Sequence, residues 1–213
     1  ANESKYYRDH SKERIGLVGA EVLAVPGLGN LIGAVVGGNH VSVLKGLLAL
    51  GLDVTSFEER DFRGLTPLHE AVKNRHADTL EILLGVEGIN VNVAAASDWG
   101  AHTPLTMACT RFDTDTDDDT DGSMENIVAL LLGHQATDVN KSSRWGTPLY
   151  LASRFGKTDI VKLILARDDT ILRPKSSRLI GWDTPWEAAV LNGHVEILDL
   201  LLSTRPDPSR PCT

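Results

Sequence analysis

Two short motifs have residue types that could do chemistry, and both are incomplete. Gly156-Lys157-Thr158 matches the end of a phosphate-binding P-loop, but Leu151 stands where that loop needs its first glycine. His69-Glu70 begins like a zinc-protease helix, but Lys73 occupies the position of the second histidine ligand. We therefore expect no cofactor and no catalytic metal at either motif.

An acidic stretch from residue 112 to residue 122 could bind a cation. It holds six aspartates, and the D-x-D-x-D-G pattern of residues 117–122 matches the first half of a calcium loop. Val128 occupies the twelfth loop position, where calcium needs a bidentate glutamate. We therefore predict a solvated acidic loop without a metal site.

Composition limits the partners. The 213 residues carry a net charge of −8, and the acidic loop supplies six of those charges, so no basic surface for nucleic acid is expected. The uncharged run 22–39 contains Pro26 and five glycines, which argues against a membrane span. Cys109 and Cys212 form no C-x-x-C pair, and the charged N-terminal residues are unlike a secretory signal. We expect a monomer in the cytoplasm, with the nucleus as the alternative.

Four Thr-Pro pairs organise the chain. Each is followed by an apolar residue, by an alanine five residues after the threonine, and later by an aliphatic block. The pairs begin at Thr66, Thr103, Thr147 and Thr184. Their spacings are 37, 44 and 37 residues, and removing the eleven residues 112–122 reduces the second spacing to 33. The acidic loop is therefore predicted to be an insertion in a series of repeats.

Each repeated feature has a physical reason. The threonine hydroxyl can cap a helix whose first turn holds proline. The small alanine lets a neighbouring helix approach closely, and Gly156 or Gly193 permits the left-handed turn that ends this helix. A second helix with an aliphatic face follows. Because neither helix can bury its apolar side alone, the units must stack.

The repeats resemble the ankyrin repeat family, whose T-P-L-H-x-A pattern is reproduced most fully at residues 66–71. The family histidine is kept as His69 and replaced by Thr106, Tyr150 and Glu187 in the later units. The resemblance implies an all-α solenoid of helix-turn-helix units. Four matching repeats are assigned to residues 62–98, 99–143, 144–180 and 181–202.

A degenerate first repeat, residues 30–61, extends the predicted array to residues 30–202. In it, Ile32 takes the leucine position and Val35 the alanine position. Within residues 1–29, four aliphatic side chains recur at helical spacing, so we predict an amphipathic helix that caps the open end of the stack. The tail, residues 203–213, carries three prolines and is predicted to be disordered.

Aromatic side chains recur in the turn before each Thr-Pro pair. They are Phe62, Trp99, Trp145 and Trp182. The resemblance implies that these turns and the first helices line a concave groove, so we expect a tryptophan ladder there. Polar side chains are predicted on or near the same face: Arg63, His102, Arg144, Tyr150, Arg154, Asp183 and Glu187.

Two functions are compatible with this face. The favoured one is a non-catalytic scaffold that grips a partner protein between aromatic anchors and a charged rim. The alternative is a pocket for a small apolar molecule, or a cofactor-independent isomerase or cyclase. In that case His102, Tyr150, Asp183 and Glu187 would move the proton.

The repeat register makes a prediction about the insertion. Deleting residues 112–122 should leave the fold intact, because the deletion restores the 33-residue spacing. The deletion variant should give soluble protein with the circular-dichroism spectrum of the parent. Loss of soluble protein would show that the segment belongs to the folded body.

Overall fold

The computed structural model describes residues 28–51, 64–96, 100–110, 122–172 and 184–204. Within these ranges the chain forms five pairs of helices and no β-strand, which confirms the predicted all-α class. The first helices of the pairs are α1 (Leu28–Gly37), α3 (Pro67–Lys73), α5 (Pro104–Ala108), α7 (Pro148–Arg154) and α9 (Pro185–Leu191). The second helices are α2 (Val41–Ala49), α4 (Ala77–Leu84), α6 (Ser123–Gly133), α8 (Thr158–Leu165) and α10 (Val195–Ser203).

The Thr-Pro pairs begin the first helices of the last four units. Each threonine is the N-cap with an extended backbone, and each proline is the first helical residue, where its missing N–H has no partner to lose. The hydroxyl of Thr103 accepts a bond from the Thr106 N–H at 3.1 Å, and that of Thr184 accepts one from the Glu187 N–H at 3.3 Å. The caps thus fix where each unit starts.

First helices pack side by side along the array, and the second helices form a parallel row behind them. The repeated alanines lie at the closest approach in the first row: Ala71, Ala108, Ala152 and Ala189 are all fully buried. In the first unit, Ile32 and Val35 are buried at the positions predicted to replace leucine and alanine. Apolar burial between neighbouring units therefore forms one continuous core.

Three sequence predictions fall largely outside the described residues. The capping helix was placed within residues 1–29, the acidic loop at 112–122, and the tail at 203–213. Of these, the structure describes residues 28 and 29 in α1, Gly122 as the N-cap of α6, and Ser203 and Thr204. Ser203 is the last residue of α10, so that helix extends one residue into the segment assigned to the tail.

Left-handed residues end the first helices at equivalent positions. They are Asn39, Arg75, Gly156 and Gly193, with φ between 53° and 74°. The side chain of the next residue reaches back to the preceding unit. His76 Nδ1 donates to the Val36 carbonyl at 2.8 Å, and His194 Nε2 donates to the Arg154 carbonyl at 3.2 Å. Carbonyls left free by the end of one helix are thus satisfied by the next unit.

Two asparagines join the loops that follow the second helices. Asn92 donates to the Ala136 carbonyl at 2.6 Å and accepts from the Asp138 N–H at 2.9 Å. Asn140 repeats the arrangement one unit later, with the Asp169 carbonyl at 2.7 Å and the Ile171 N–H at 2.7 Å. Each side-chain amide therefore donates one hydrogen bond to the backbone of the next unit and accepts one from it, as the backbone of a neighbouring β-strand would.

The last described unit exposes surface that internal units bury. Val72, Cys109 and Ser153 occupy one repeat position and are fully buried, whereas Val190 at the same position is 60% exposed. Leu202 is 58% exposed, although its counterpart Leu132 is 7% exposed. Within the described part of the chain, these side chains have no following unit to cover them.

The hinge geometry predicts that Gly156→Ala destabilises the protein. Gly156 has φ +72°, and an added Cβ would lie 2.6 Å from Cε1 of His194. We expect a loss of about 2 kcal/mol in the free energy of unfolding, measured by urea denaturation. Gly46→Ala in α2 is the matched control, because an added Cβ there meets nothing within 4 Å. It should stabilise by about 0.5–1 kcal/mol. Equal effects of the two substitutions would contradict the strain at the hinge.

Candidate functional site

A tight turn precedes α7 and presents two predicted site residues. Ser143 N–H donates to the Gly146 carbonyl at 3.0 Å, and the Gly146 N–H donates back at 3.3 Å. The Trp145 N–H donates to Ser143 Oγ at 3.1 Å, which fixes the turn further. Arg144 and Trp145 therefore lie at the tip of a turn that hydrogen bonds of Ser143 and Gly146 hold in place.

The neighbouring unit supports this turn. The Arg144 N–H donates to the Gly100 carbonyl at 2.8 Å. The Trp145 indole packs on Gly100 so closely that a side chain at Gly100, whose φ is +71°, would overlap the ring. Trp145 is nevertheless 49% exposed. Trp145 is therefore held against Gly100 of the preceding unit and remains about half exposed.

One side of α7 continues from this turn. Tyr150 and Arg154 are four residues apart within α7, which places them in line along one side of the helix. The Tyr150 ring packs against Gly146. At the far end of α7, Phe155 is 37% exposed. We call the set Arg144, Trp145, Tyr150, Arg154 and Phe155 the α7 face.

Each end of the α7 face carries an arginine over an aromatic ring. The guanidinium carbon of Arg144 lies 5.9 Å from the centre of the Trp145 ring, and that of Arg154 lies 5.7 Å from the centre of the Phe155 ring. Both guanidinium groups thus lie within the range of a cation–π contact. Both arginines are exposed, so a partner can reach their guanidinium groups.

His102 occupies a buried position beside the turn. Its side chain is 6% exposed, with Nδ1 3.3 Å from Thr106 Oγ1. Its carbonyl accepts from the Ala95 N–H at 2.7 Å and from Nε2 of His69 at 2.8 Å. Desolvation by burial lowers the pKa of the His102 imidazole below its ordinary value, so the ring is held neutral.

His69 reveals why the family pattern keeps a histidine at this position. Its Nδ1 accepts from the Thr66 N–H at 3.3 Å and lies 2.8 Å from Thr66 Oγ1. The ring proton is therefore on Nε2, which donates to the His102 carbonyl of the next unit. One imidazole thus caps its own helix and binds its neighbour.

Glu187 is engaged by its own helix cap. Its Oε2 accepts from the Thr184 N–H at 3.0 Å and from the Thr184 hydroxyl at 2.8 Å. The reciprocal bonds form a capping box, as Thr106 does with Thr103. Glu187 and His102 thus both take part in local structural contacts.

Four predicted site residues lie at or near α7: Arg144 and Trp145 in the turn before it, and Tyr150 and Arg154 within it. Five other predicted site residues lie outside the described residues: Phe62, Arg63, Trp99, Trp182 and Asp183. The tryptophan ladder that includes them stays a prediction. Phe155 was missed by the sequence reasoning, although its place next to Arg154 at the end of a first helix could have identified it.

The second helices of two units line a separate groove. A groove of about 440 Å³ runs between the second helices α4 and α6, and the predicted site residues do not line it. Its walls include Glu81, Leu84, Leu130 and His134. In the described ranges, no three His, Cys, Asp or Glu side chains gather as a metal site would require. No helix described here is both long and apolar enough to cross a membrane.

Stacked helix pairs joined by repeated interfaces define a solenoid repeat protein. The sequence matches the profile of ankyrin repeats (three copies) over residues 31–116 and 120–211. The chain therefore belongs to the ankyrin repeat family. Solenoids of this kind present extended concave surfaces that bind other proteins.

The chain is also similar to segments of much longer proteins. It is 30% identical to the ankyrin repeat and KH domain-containing protein mask-1 of Caenorhabditis elegans over 165 residues, which cover 77% of this chain and 6% of that protein. It is 25% identical to the human transient receptor potential cation channel subfamily A member 1 over 169 residues, covering 77% and 14%. The SMC5-SMC6 complex localization factor protein 1 of Bos taurus is 29% identical over 117 residues, covering 55% and 10%. The chain thus spans a small part of each relative.

The buried imidazole predicts a pH dependence of stability. His102 has a lower pKa in the folded protein than the ordinary 6.5. The unfolded chain therefore binds its proton first as pH falls, and the free energy of unfolding should decrease below about pH 6.5. The contribution cannot exceed about 1.4 kcal/mol per pH unit.

Urea denaturation of the parent and of His102→Gln between pH 8 and pH 5 measures this contribution. At pH 8 the difference between the two gives the structural cost of the substitution alone. Between pH 6.5 and 5 the variant should lose less stability than the parent. Parallel pH profiles would contradict a neutral, buried His102.

Proposed function

We propose that this chain is a non-catalytic binding scaffold that grips a partner protein through an aromatic-lined concave surface, of which the α7 face is the described part. The proposal rests on the contact and the exposure of the Trp145 ring. The ring is fixed on the backbone of a neighbouring unit and still 49% exposed.

An exposed ring of this kind suits recognition. Tryptophan has a large apolar surface and a hydrogen-bonding N–H, and it is enriched among the residues that dominate binding energy. Because Gly100 and the Ser143–Gly146 turn already hold Trp145, binding would cost little side-chain entropy. Arginine, also enriched at such positions, lies directly beside it at Arg144.

The alternative, a small-molecule pocket or a proton-transfer site, would use His102, Tyr150, Asp183 and Glu187. His102 and Glu187 already contact helix N-termini, and burial keeps His102 neutral. The proposal therefore relies on the exposed side chains of the α7 face rather than on acid–base chemistry. By repeat register, Trp99 and Trp182 would extend the same surface. We also propose that the protein is a monomer in the cytoplasm or the nucleus.

Trp145→Ala tests the proposal. The substitution should weaken binding to an isolated partner by about 2 kcal/mol or more, measured by isothermal titration calorimetry. The free energy of unfolding should change by no more than about 1 kcal/mol, because half of the ring is already exposed.

Leu50→Ala is the matched control, because Leu50 is 78% exposed and lies at the end of α2. It should leave binding unchanged. If Trp145→Ala binds as the parent does, or if it unfolds readily, the ring serves packing between units and the proposal is wrong.

A further inference from the structure

The α7 face lies in an unusual stretch of the sequence. Residues 140–157 contain four basic side chains and no acidic one, in a chain with 29 acidic and 21 basic residues. The four are Lys141, Arg144, Arg154 and Lys157. A basic run in an acidic chain is not explained by overall composition, so the contacts of these basic side chains are informative.

The described arginines fall into two groups. Arg167 forms a bidentate ion pair with Asp169, with both N–O distances 2.9 Å, and Arg75 donates to Ser123 Oγ at 3.3 Å. Arg144 and Arg154 instead stack on aromatic rings, and neither has a carboxylate partner within the part of the chain that the structure describes. Each guanidinium therefore keeps its N–H donors available at an exposed site.

Stacked guanidinium groups are well prepared to bind carboxylates. A guanidinium has a planar fork of N–H donors that matches the two oxygens of a carboxylate. A cation–π contact supplies no oxygen acceptor, so the N–H donors of Arg144 and Arg154 stay available to a carboxylate. The rings of Trp145 and Phe155 remain partly exposed beside the charges, at 49% and 37%. Each end of the α7 face thus offers one anion site next to one apolar contact.

The distance between the two sites sets the size of the ligand. α7 has seven residues, so its length is about 10 Å at a rise of about 1.5 Å per residue. Arg154 is its last residue and Arg144 lies in the turn before its first, so we take this length as the scale of the distance between the two sites. An extended peptide advances about 3.3 Å per residue, and it would cover this distance in about three residues.

We propose that the partner of the α7 face is an extended acidic peptide segment. Two Asp or Glu side chains, three or four residues apart, bind Arg144 and Arg154, and an apolar side chain between them contacts Trp145 or Phe155. The inference rests on the proposed function, and it adds the chemistry of the partner.

Selection of random twelve-residue peptides on phage, with the full chain as the target, tests the inference. The recovered peptides should be enriched in acidic pairs at the three- or four-residue spacing. Synthetic peptides from the selection should bind more weakly as salt is raised, measured by fluorescence anisotropy.

Substitutions at the two arginines locate the contact. Arg144→Gln and Arg154→Gln should each lower peptide affinity by about tenfold and flatten the salt dependence. Arg144→Lys should recover only part of the affinity, because lysine keeps the charge and loses the planar fork. Lys45→Gln is the matched control: it removes one exposed positive charge from α2 and should leave the affinity within about twofold.

The outcomes separate the two proposals. Peptides that bind in a Trp145-dependent manner, but are neutral or basic or insensitive to both arginine substitutions, would overturn the acidic partner and keep the scaffold. Selected peptides that do not depend on Trp145, or a selection that recovers no binding peptide, would overturn both.

Discussion

Every part of this structure depends on contact between neighbouring units, because a pair of helices with eight or so residues each cannot bury its own apolar side. The alanine row shows how close the contact is: Ala71, Ala108, Ala152 and Ala189 are fully buried where first helices meet. Polar bonds accompany this burial along the array. Hinge side chains bond back to helix ends, asparagines bond to the next loop, and His69 bonds to the His102 carbonyl. The stack is therefore held by hydrogen bonds with defined partners as well as by buried apolar surface.

Much of this could be predicted from the sequence because repetition makes weak signals add up. A single Thr-Pro pair indicates a helix start, whereas four at regular spacing indicate equivalent helices that must pack alike. The start of α9 at Pro185 and the burial of Val35 in the degenerate unit both follow from that register.

The remaining contacts could not be predicted from the sequence, because they join residues that are distant along the chain. Asn92 and Asn140 recur at one repeat position once the insertion is removed, but an asparagine in a loop predicts a turn as readily as a bond to the next unit. Stacking of Arg154 on Phe155 could not be predicted from their adjacency alone. His102 was expected on the open face. It is buried because Trp145 of the next unit packs on the turn at Gly100 beside it.

The third helical residue of α7 does not form the reciprocal cap that its neighbours form, and this residue belongs to the α7 face. In the units of α3, α5 and α9, the third helical residue completes a reciprocal cap with its threonine: His69, Thr106 and Glu187. Tyr150 holds that position in α7, and its ring packs on Gly146 instead. Thr147 keeps the N-cap bond from the Tyr150 N–H, but tyrosine does not complete the reciprocal bond, so it is not the residue that helix capping would favour. It covers the turn that presents Arg144 and Trp145, and local departures from the stabilising pattern are expected where a surface is shaped for binding. Among the four units that begin with a Thr-Pro pair, only the α7 unit lacks the reciprocal cap, and this unit carries the face on which the proposed function rests.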